Sequence, residues 1–263
     1  MTSSETETET EPRTETWTET PLTLPAHVTG YPGVAFGGYV AGLLAARTGA
    51  EQVRVDFRAA VPVATGVGLA DGPDGAAEIR DRTGALLAAA APAELTLEAP
   101  EPPSWAEAEA GAAQQLRSLR RNPPPIADCY GCSPDVPPGR GLKLLPGRVE
   151  ARPELLAGAW VPDRELAGPD GTLPPEIVWA ALDCPGGWTG IRIGRMPEGG
   201  VTARLTGTQL LPVRAAERHV SYAWLLHREG RKTTVGVALA TAEGELCALG
   251  EALWITPKEP ATD

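Results

Sequence analysis

An internal repeat is the feature that most limits how this chain can fold. The segment GGYVAGLLAARTG (37–49) has apolar residues at helical spacing and ends at a glycine, and strand-like segments follow it. The segment PPEIVWAALDCPGG (174–187) has the same character, and strand-like segments again follow. One helix followed by antiparallel strands is an α+β arrangement, so its repetition predicts two similar units side by side.

The strand-like segments of the two stretches can be aligned by eye. In the first stretch they are EQVRVDFRAAVPV, GVGLAD, AAEIRD and ALLAAAAPAELTL; in the second they are WTGIRIG, GVTARLTGTQLLPV, RHVSYAWLLHR, KTTVGVALATA and ELCALGEALWI. DFRAAVPV (56–63) matches GTQLLPV (207–213), because each reaches a Pro-Val pair. RDRTGALLAAAAPAELTL (80–97) matches TAEGELCALGEALWI (241–255), because each is a glycine turn leading into a final strand. Two unrelated α+β domains are the alternative.

Composition changes mark the boundaries of these units. We predict a disordered Thr/Glu-rich tail at 1–21, an N-terminal unit at 22–99, a connector at 100–147, a C-terminal unit at 148–256 and a tail at 257–263. Proline clusters flank the connector, and its centre reads as an amphipathic helix with Ser104 as N-cap. A connector of this kind can lie across the sheet edge and cover a pocket.

The charge and the apolar content exclude several classes of protein. The chain of 263 residues has 23 basic and 34 acidic side chains, a net charge of −11, which argues against a nucleic-acid partner. No apolar run is long enough to cross a bilayer, and the N-terminus is unlike a signal peptide, so we expect a cytoplasmic protein without a membrane partner. Four cysteines in such a chain do not indicate a disulfide scaffold.

Two sets of motifs resemble a known superfamily. Phe36-Gly37-Gly38-Tyr39 opens an apolar helix, and VRVDFRAAVPVATGVGLA (53–70) follows it, as in the hotdog-fold thioesterases. CYGCSPDVPPGRGLKLLPG (129–147) followed by PPEIVWAALDCPGGW (174–188) resembles a set of actinobacterial double-hotdog proteins described as thioesterase-like. The resemblance implies a double hotdog, in which each of two tandem repeats has a long central helix wrapped by a curved antiparallel sheet.

The resemblance also implies a function. Such proteins hydrolyse acyl-CoA or acyl-carrier-protein thioesters, so we expect one of these partners, no cofactor and no metal, in a monomer or a homodimer. A non-catalytic acyl- or acyl-CoA-binding module is one alternative. A hydratase or dehydratase is another, and it usually uses an Asp/His pair, which we cannot place in this sequence. No Ser-His-Asp triad motif is present.

In this superfamily a backbone N–H at the start of a helix polarises the thioester carbonyl, and a carboxylate about two turns along the same helix acts as base or nucleophile. The first helix has Gly37 and Gly38, whose missing side chains let a ligand approach the backbone, but no carboxylate two turns on. The second helix has Asp183, although it opens with prolines, so that Glu176 offers its first N–H. Neither helix carries the full pattern.

Asp183 is the first candidate for the acid and Glu176 the second. Alternatively, Asp183 ends its helix by bonding nearby backbone or forming a turn with Cys184-Pro185, and Glu176 is an acidic residue favoured by the helix dipole. For substrate binding we select Gly37, Gly38, Thr202, Thr208, Gln209 and Trp179.

The strand that follows the second helix supplies most of these binding candidates. Strand alternation predicts that Thr202, Thr206 and Thr208 share one face and that Gln209 lies on the other. Exposed threonines on a strand, and a tryptophan in the core, are the structural alternatives.

The CxxC sequence Cys129-Tyr130-Gly131-Cys132 admits a metal or a redox interpretation. A structural zinc needs four ligands, and no second CxxC or histidine pair accompanies this one. A redox site would place it at a helix start after a strand. We therefore expect a tight turn in the connector, with Cys184 and Cys247 as small buried residues.

Overall fold

A computed structural model describes residues 19–124 and 128–258 of the chain. Its helices are α1 (Gly37–Thr48), α2 (Trp105–Arg121), α3 (Pro175–Ala181) and α4 (Cys184–Arg192). Its strands are β1 (Thr20–Thr23), β2 (Thr29–Tyr31), β3 (Val34–Ala35), β4 (Gln52–Phe57), β5 (Gly66–Asp71), β6 (Ala77–Arg80), β7 (Leu86–Pro92), β8 (Gly147–Val149), β9 (Arg152–Trp160), β10 (Val201–Gln209), β11 (His219–Glu229), β12 (Lys232–Thr241) and β13 (Leu246–Ile255). The chain is thus a mixture of helices and antiparallel strands.

Eleven of these strands form one sheet, in the order β1-β5-β6-β7-β4-β10-β13-β12-β11-β9-β8, and β2 and β3 form a separate pair. Every neighbouring pair in the large sheet is antiparallel. The strands that precede and follow the connector meet at β4 and β10, where Val55 lies opposite Leu205. Both residues are fully buried, which is consistent with a continuous sheet through the middle of the molecule.

Apolar side chains cover the sheet on both faces. On one face, α1, α3 and α4 pack over residues such as Val55, Leu205 and Val237 to form the larger core. On the other face, α2 packs over β8, β9 and β11, where Ala108 contacts a smaller cluster that includes Ala157 and Tyr222. None of the helices in the described ranges is both apolar and long enough to span a membrane.

Two glycines let α1 and α3 approach closely. A Cβ on Gly38 would lie 2.7 Å from the Cα of Ala180, and a Cβ on Gly42 would lie 2.4 Å from the Cα of Glu176. Because Gly38 faces the end of α3 and Gly42 faces its beginning, the two helices run antiparallel. The start of α1 therefore meets the chain that leaves α3.

The first helix and the connector helix are confirmed. The first ends at Gly49, which has the left-handed conformation that favours glycine there. In α2, Ser104 is the N-cap and forms a capping box with Glu107. The Ser104 hydroxyl accepts from Glu107 N–H, and the Glu107 carboxylate accepts from Ser104 N–H. The helix packs mainly on the sheet face opposite α3 and α4, and near its end Leu119 reaches the larger core.

The prediction for 174–194 is partly wrong. The chain does not leave the helix at Pro185 for a strand over 188–194, because α4 continues the helical path to Arg192. Pro185 has no N–H to bond the carbonyl of Ala181, and this explains the break between α3 and α4. Gly186 and Gly187 then allow α4 to lie against Trp254, which would collide with a Cβ on Gly187 at 2.8 Å.

Two other differences concern the ends of the predicted units. The sequence did not indicate β9, a strand of nine residues with four consecutive buried positions. The predicted tails fall mostly at 1–18 and 259–263, outside the described residues. Thr20 and Pro21, which we assigned to the N-terminal tail, instead pair with β5 as part of β1.

Candidate functional site

Asp183 lies at the break between α3 and α4, directly in front of the first turn of α1. Its Oδ2 accepts a hydrogen bond of 2.7 Å from the backbone N–H of Gly38, across 145 residues of sequence. The side chain makes no capping bond to α4, whereas the backbone carbonyl of Asp183 forms the expected turn over Cys184-Pro185 by accepting from Gly186 N–H at 3.0 Å. The carboxylate occupies the positive end of the α1 dipole, a position that favours negative charge.

A β-bulge brings Thr202 to the same carboxylate. The pairing of β10 with β13 shifts register between Thr202 and Arg204, so that Ala203 is an extra residue and the alternation of side chains changes there. Thr202 Oγ1 consequently donates to Asp183 Oδ1 at 2.7 Å. The predicted shared face of Thr202, Thr206 and Thr208 is therefore wrong, because the bulge separates Thr202 from the other two.

Burial determines the acidity of Asp183. Its residue exposure is only 2%. Loss of solvation raises the pKa of its carboxyl group from 3.8 to about 6, although hydrogen bonds from Thr202 and Gly38 act in the opposite direction. Negative charge at Cys129 contributes to the same increase in pKa. A carboxyl group with a pKa near neutrality can both take up and release a proton under physiological conditions.

A cavity of about 770 Å³ opens beside this carboxyl group, and Gly37, Asp183 and Thr202 all belong to its wall. Most of the remaining wall is apolar; its larger side chains are Val34, Phe36, Phe57, Val61, Trp188, Ile191, Met196, Val201, Trp254 and Ile255. Arg58 is the one basic side chain among the lining residues in the described part of the chain. The cavity can enclose an apolar group and present its polar end to Asp183.

Gly37 and Gly38, both of which we predicted to contact the substrate, have different surroundings in the structure. Gly37 lines the cavity, and among the described residues its N–H donates to no protein acceptor. Gly38 lies behind it, with its N–H bonded to Asp183 and its Cα against α3. The prediction that Gly38 contacts substrate is thus wrong, because the space its missing side chain leaves is filled by a second helix.

Four other predicted site residues lie away from the cavity. Glu176 packs beside Gly42 at the far end of the α1–α3 contact, and Trp179 is a core residue whose ring lies 3.1 Å from a Cβ built on Gly207. Thr208 and Gln209 are at the end of β10 distant from Thr202, and neither lines the cavity. Their positions outside the cavity wall argue against these four assignments, because sequence spacing along a helix or a strand does not tell which end meets the pocket.

The connector takes part in a cluster of cysteines that the sequence did not indicate. Cys129 and Cys132 form a turn, as we predicted, and Cys184 and Cys247 are buried, also as predicted. The turn, however, lies against the start of α4, so that Cys129, Cys132 and Cys184 meet in the cavity wall. Only the fold joins them, because Cys184 is distant in sequence from the CxxC.

Comparisons with known proteins agree with this architecture. The structure superposes on the tesB protein of Mycobacterium avium subspecies paratuberculosis with a TM-score of 0.61 at 14% identity, covering 94% of this chain and 95% of that one. A protein from Alicyclobacillus acidocaldarius described as having a hotdog fold gives a TM-score of 0.57 at 13% identity, covering 91% and 93% of the two chains. This chain has the hotdog fold.

A third similar structure comes from Novosphingobium aromaticivorans, in a protein provisionally named a thioesterase. It gives a TM-score of 0.59 at 13% identity and covers 90% of this chain and 95% of that one. No protein-family model and no curated protein sequence matches this chain. The similarity is therefore one of fold, and the chemistry has to be argued from the residues around Asp183.

Proposed function

We propose that this protein hydrolyses an acyl thioester, with the acyl group in the cavity and the carbonyl next to Asp183. The observation that carries the proposal is the buried Asp183 carboxyl group, held by Thr202 and Gly38 at the wall of an apolar cavity. The name of the similar Novosphingobium protein is consistent with this class of substrate.

The reaction follows from the position of the groups. Asp183 removes a proton from water as the water oxygen attacks the thioester carbon, giving a tetrahedral intermediate. Gly37 N–H, at the positive end of α1, stabilises the negative charge that develops on the carbonyl oxygen. The C–S bond then breaks, and the proton on Asp183 passes to the departing sulfur, which leaves as a thiol.

Direct attack by the Asp183 carboxylate on the thioester carbon is the other route. It would form a mixed anhydride that water hydrolyses in a second step. The two bonds that Asp183 accepts, one at each oxygen, hold the carboxylate plane in place for either route. Transfer of solvent ¹⁸O into the Asp183 side chain during single turnovers would identify the anhydride route.

Size and charge of the cavity indicate the kind of thioester. An apolar wall with Trp188 and Trp254 suits an acyl chain or an aryl group. Arg58 offers a charge-assisted hydrogen bond to a phosphate, which both coenzyme A and the prosthetic group of an acyl-carrier protein possess. We therefore propose an acyl-CoA or acyl-carrier-protein thioester as the substrate.

Thiol release from a panel of acyl-CoAs of increasing chain length tests the proposal. The wild-type protein should hydrolyse at least one of them, and Thr202→Val should lower kcat because it removes a donor to Asp183. Thr206→Val is the matched control, since Thr206 is a buried threonine of the same strand outside the cavity wall. Equal rates for the two variants would contradict the role given to Thr202.

A non-catalytic acyl-binding module is the second candidate, and the very low exposure of Asp183 favours it. It predicts that an acyl-CoA binds to the protein without any thiol release. A hydratase or dehydratase is less consistent with the site, because none of the three histidines lines the cavity.

We further propose that the chain is a double hotdog, with repeats at 22–99 and 148–256 joined by the connector 100–147. The order β5-β6-β7-β4 on one side of the central seam has its counterpart in β11-β12-β13-β10 on the other, and this correspondence supports the proposal. A crystal structure in which the two ranges superpose strand by strand would verify it. Different paths through the two halves would refute it.

A further inference from the structure

The sulfur atoms of Cys129, Cys132 and Cys184 form a compact group in the cavity wall. All three lie within 4.8 Å of one another, and the sulfurs of Cys129 and Cys184 are 4.0 Å apart. Tetrahedral zinc binds thiolates at about 2.3 Å, which places pairs of sulfur ligands about 3.8 Å apart. A single ion could therefore be bound by all three cysteines with only small side-chain movements.

Backbone hydrogen bonds hold the turn that carries two of these sulfurs. Ser133 N–H donates to the carbonyl of Cys129 at 3.0 Å, and Leu144 N–H donates to that of Gly131 at 2.8 Å. A Cβ on Gly131 would lie 2.8 Å from the Cβ of Cys184, so this glycine lets the turn approach the start of α4. The turn is thus held with its two sulfurs beside the third.

The surroundings of the group also suit a cation. Cys129, Cys132 and Cys184 lie in the same cavity wall as Asp183, among mostly apolar side chains. Thiolates gathered there with little solvent are unfavourable by themselves, and a bound cation would offset their charge.

We propose that Cys129, Cys132 and Cys184 bind one zinc ion, with its fourth coordination position facing the cavity. Zinc binding releases the thiol proton of each cysteine that carries one to solvent and forms three zinc–sulfur bonds. The ion ties the connector turn to the first residue of α4, next to Asp183. This proposal does not depend on thioester hydrolysis, because it concerns binding alone.

A disulfide between Cys129 and Cys132 is the competing use of these residues. The CxxC here lies in a turn rather than at the start of a helix, and a third sulfur accompanies it. Three converging ligands are more than a redox pair needs but are what a metal site requires. The geometry therefore favours the ion.

Metal content and binding of the full chain test the proposal, with Zn²⁺ and Co²⁺ as the probes. Reduced wild-type protein should bind one equivalent of zinc, and its cobalt form should show thiolate-to-cobalt charge-transfer absorption. Cys129→Ser, Cys132→Ser and Cys184→Ser should each weaken zinc binding at least about tenfold. Cys247→Ser is the matched control, because Cys247 is a buried cysteine outside the group, and it should bind zinc like the wild type.

Alkylation of the wild-type protein gives a test that no variant has to survive. Zinc should protect Cys129, Cys132 and Cys184 from iodoacetamide without changing the modification of Cys247, as mass spectrometry can establish. No zinc binding by reduced wild-type protein, or a Cys129–Cys132 disulfide that remains the only product when zinc is added, would overturn the proposal. Equal zinc binding by Cys184→Ser and wild type would overturn the three-cysteine site.

Discussion

Asp183→Asn should make the protein more stable at neutral pH while removing the acid. Asparagine has nearly the same shape, its Oδ1 can accept from Gly38 N–H, and its amide can donate to the Thr202 hydroxyl, which then turns to accept. The variant therefore keeps both contacts and carries no charge. The expected gain in stability comes from the cost of ionising a buried carboxyl group.

The magnitude follows from the pKa of the carboxyl group. Burial raises the Asp183 pKa from 3.8 to about 6, so the folded protein binds more protons than the unfolded chain between these two values. The favourable contribution is fully present below pH 3.8 and is lost as the pH rises through 6. At about 1.4 kcal/mol per pKa unit, the wild type loses about 3 kcal/mol over this interval, and the variant does not.

Chemical denaturation at a series of pH values measures this difference. The free energy of unfolding of Asp183→Asn minus that of the wild type should increase from pH 4 to pH 8 by about 3 kcal/mol, at an unchanged denaturant slope. A chelator in the buffer keeps metal charge away from Cys184. Subtracting the two curves removes the contribution of every other group that titrates in both proteins.

Asp170→Asn provides a control of opposite sign. Hydrogen bonds from Thr172 lower the pKa of Asp170, so its ionised form stabilises the folded state and this contribution is lost as the pH falls. The Asp170 variant should not gain stability towards pH 8. A constant difference between wild type and Asp183→Asn at all pH values, or one that decreases towards pH 8, would refute the reasoning about Asp183.

Two further predictions concern the helix contact and the cavity mouth. Gly38→Ala should lower the free energy of unfolding, measured in denaturant titrations, by about 1–3 kcal/mol, because its Cβ would lie 2.7 Å from Ala180 Cα. Gly66→Ala is the control and should cost less, since no atom lies within 4 Å of the new Cβ. If the two cost the same, the close contact is not what makes Gly38 necessary. In steady-state kinetics, Arg58→Ala should raise KM for an acyl-CoA by about fivefold or more. It should leave KM unchanged for the matching acyl-pantetheine, which has no phosphate. An equal change for both substrates would argue against a phosphate contact.

The sequence predicted the elements whose signals are local. The helix starting at Gly37 and the capped helix starting at Trp105 have the expected bounds, because apolar spacing, a serine cap and a terminal glycine act within a few residues. The long strands β11, β12 and β13 agree with alternating or continuous apolar patterns. The choice of Asp183 as the first candidate for the acid could also be argued in advance.

The features that the sequence did not predict depend on contacts between distant segments. A bulge at Ala203 turns Thr202 towards Asp183, and nothing in the local sequence indicates where strand pairing shifts by one residue. The WTGIRIG segment has strand-forming residues but packs as a helix, because the glycines before it allow close contact with Trp254. The approach of Cys184 to the CxxC likewise requires the folded connector.

The rate of thiol release by wild type and by Asp183→Asn tests the central claim most directly. With a saturating acyl-CoA that the wild type hydrolyses, Asp183→Asn should lower kcat by a factor on the order of 100 or more, since it keeps the shape of the site but has no group to take up a proton. Asp170→Asn should have the wild-type rate. A variant at position 183 that retains most of the wild-type kcat would contradict the assignment of Asp183 as the reacting carboxyl group.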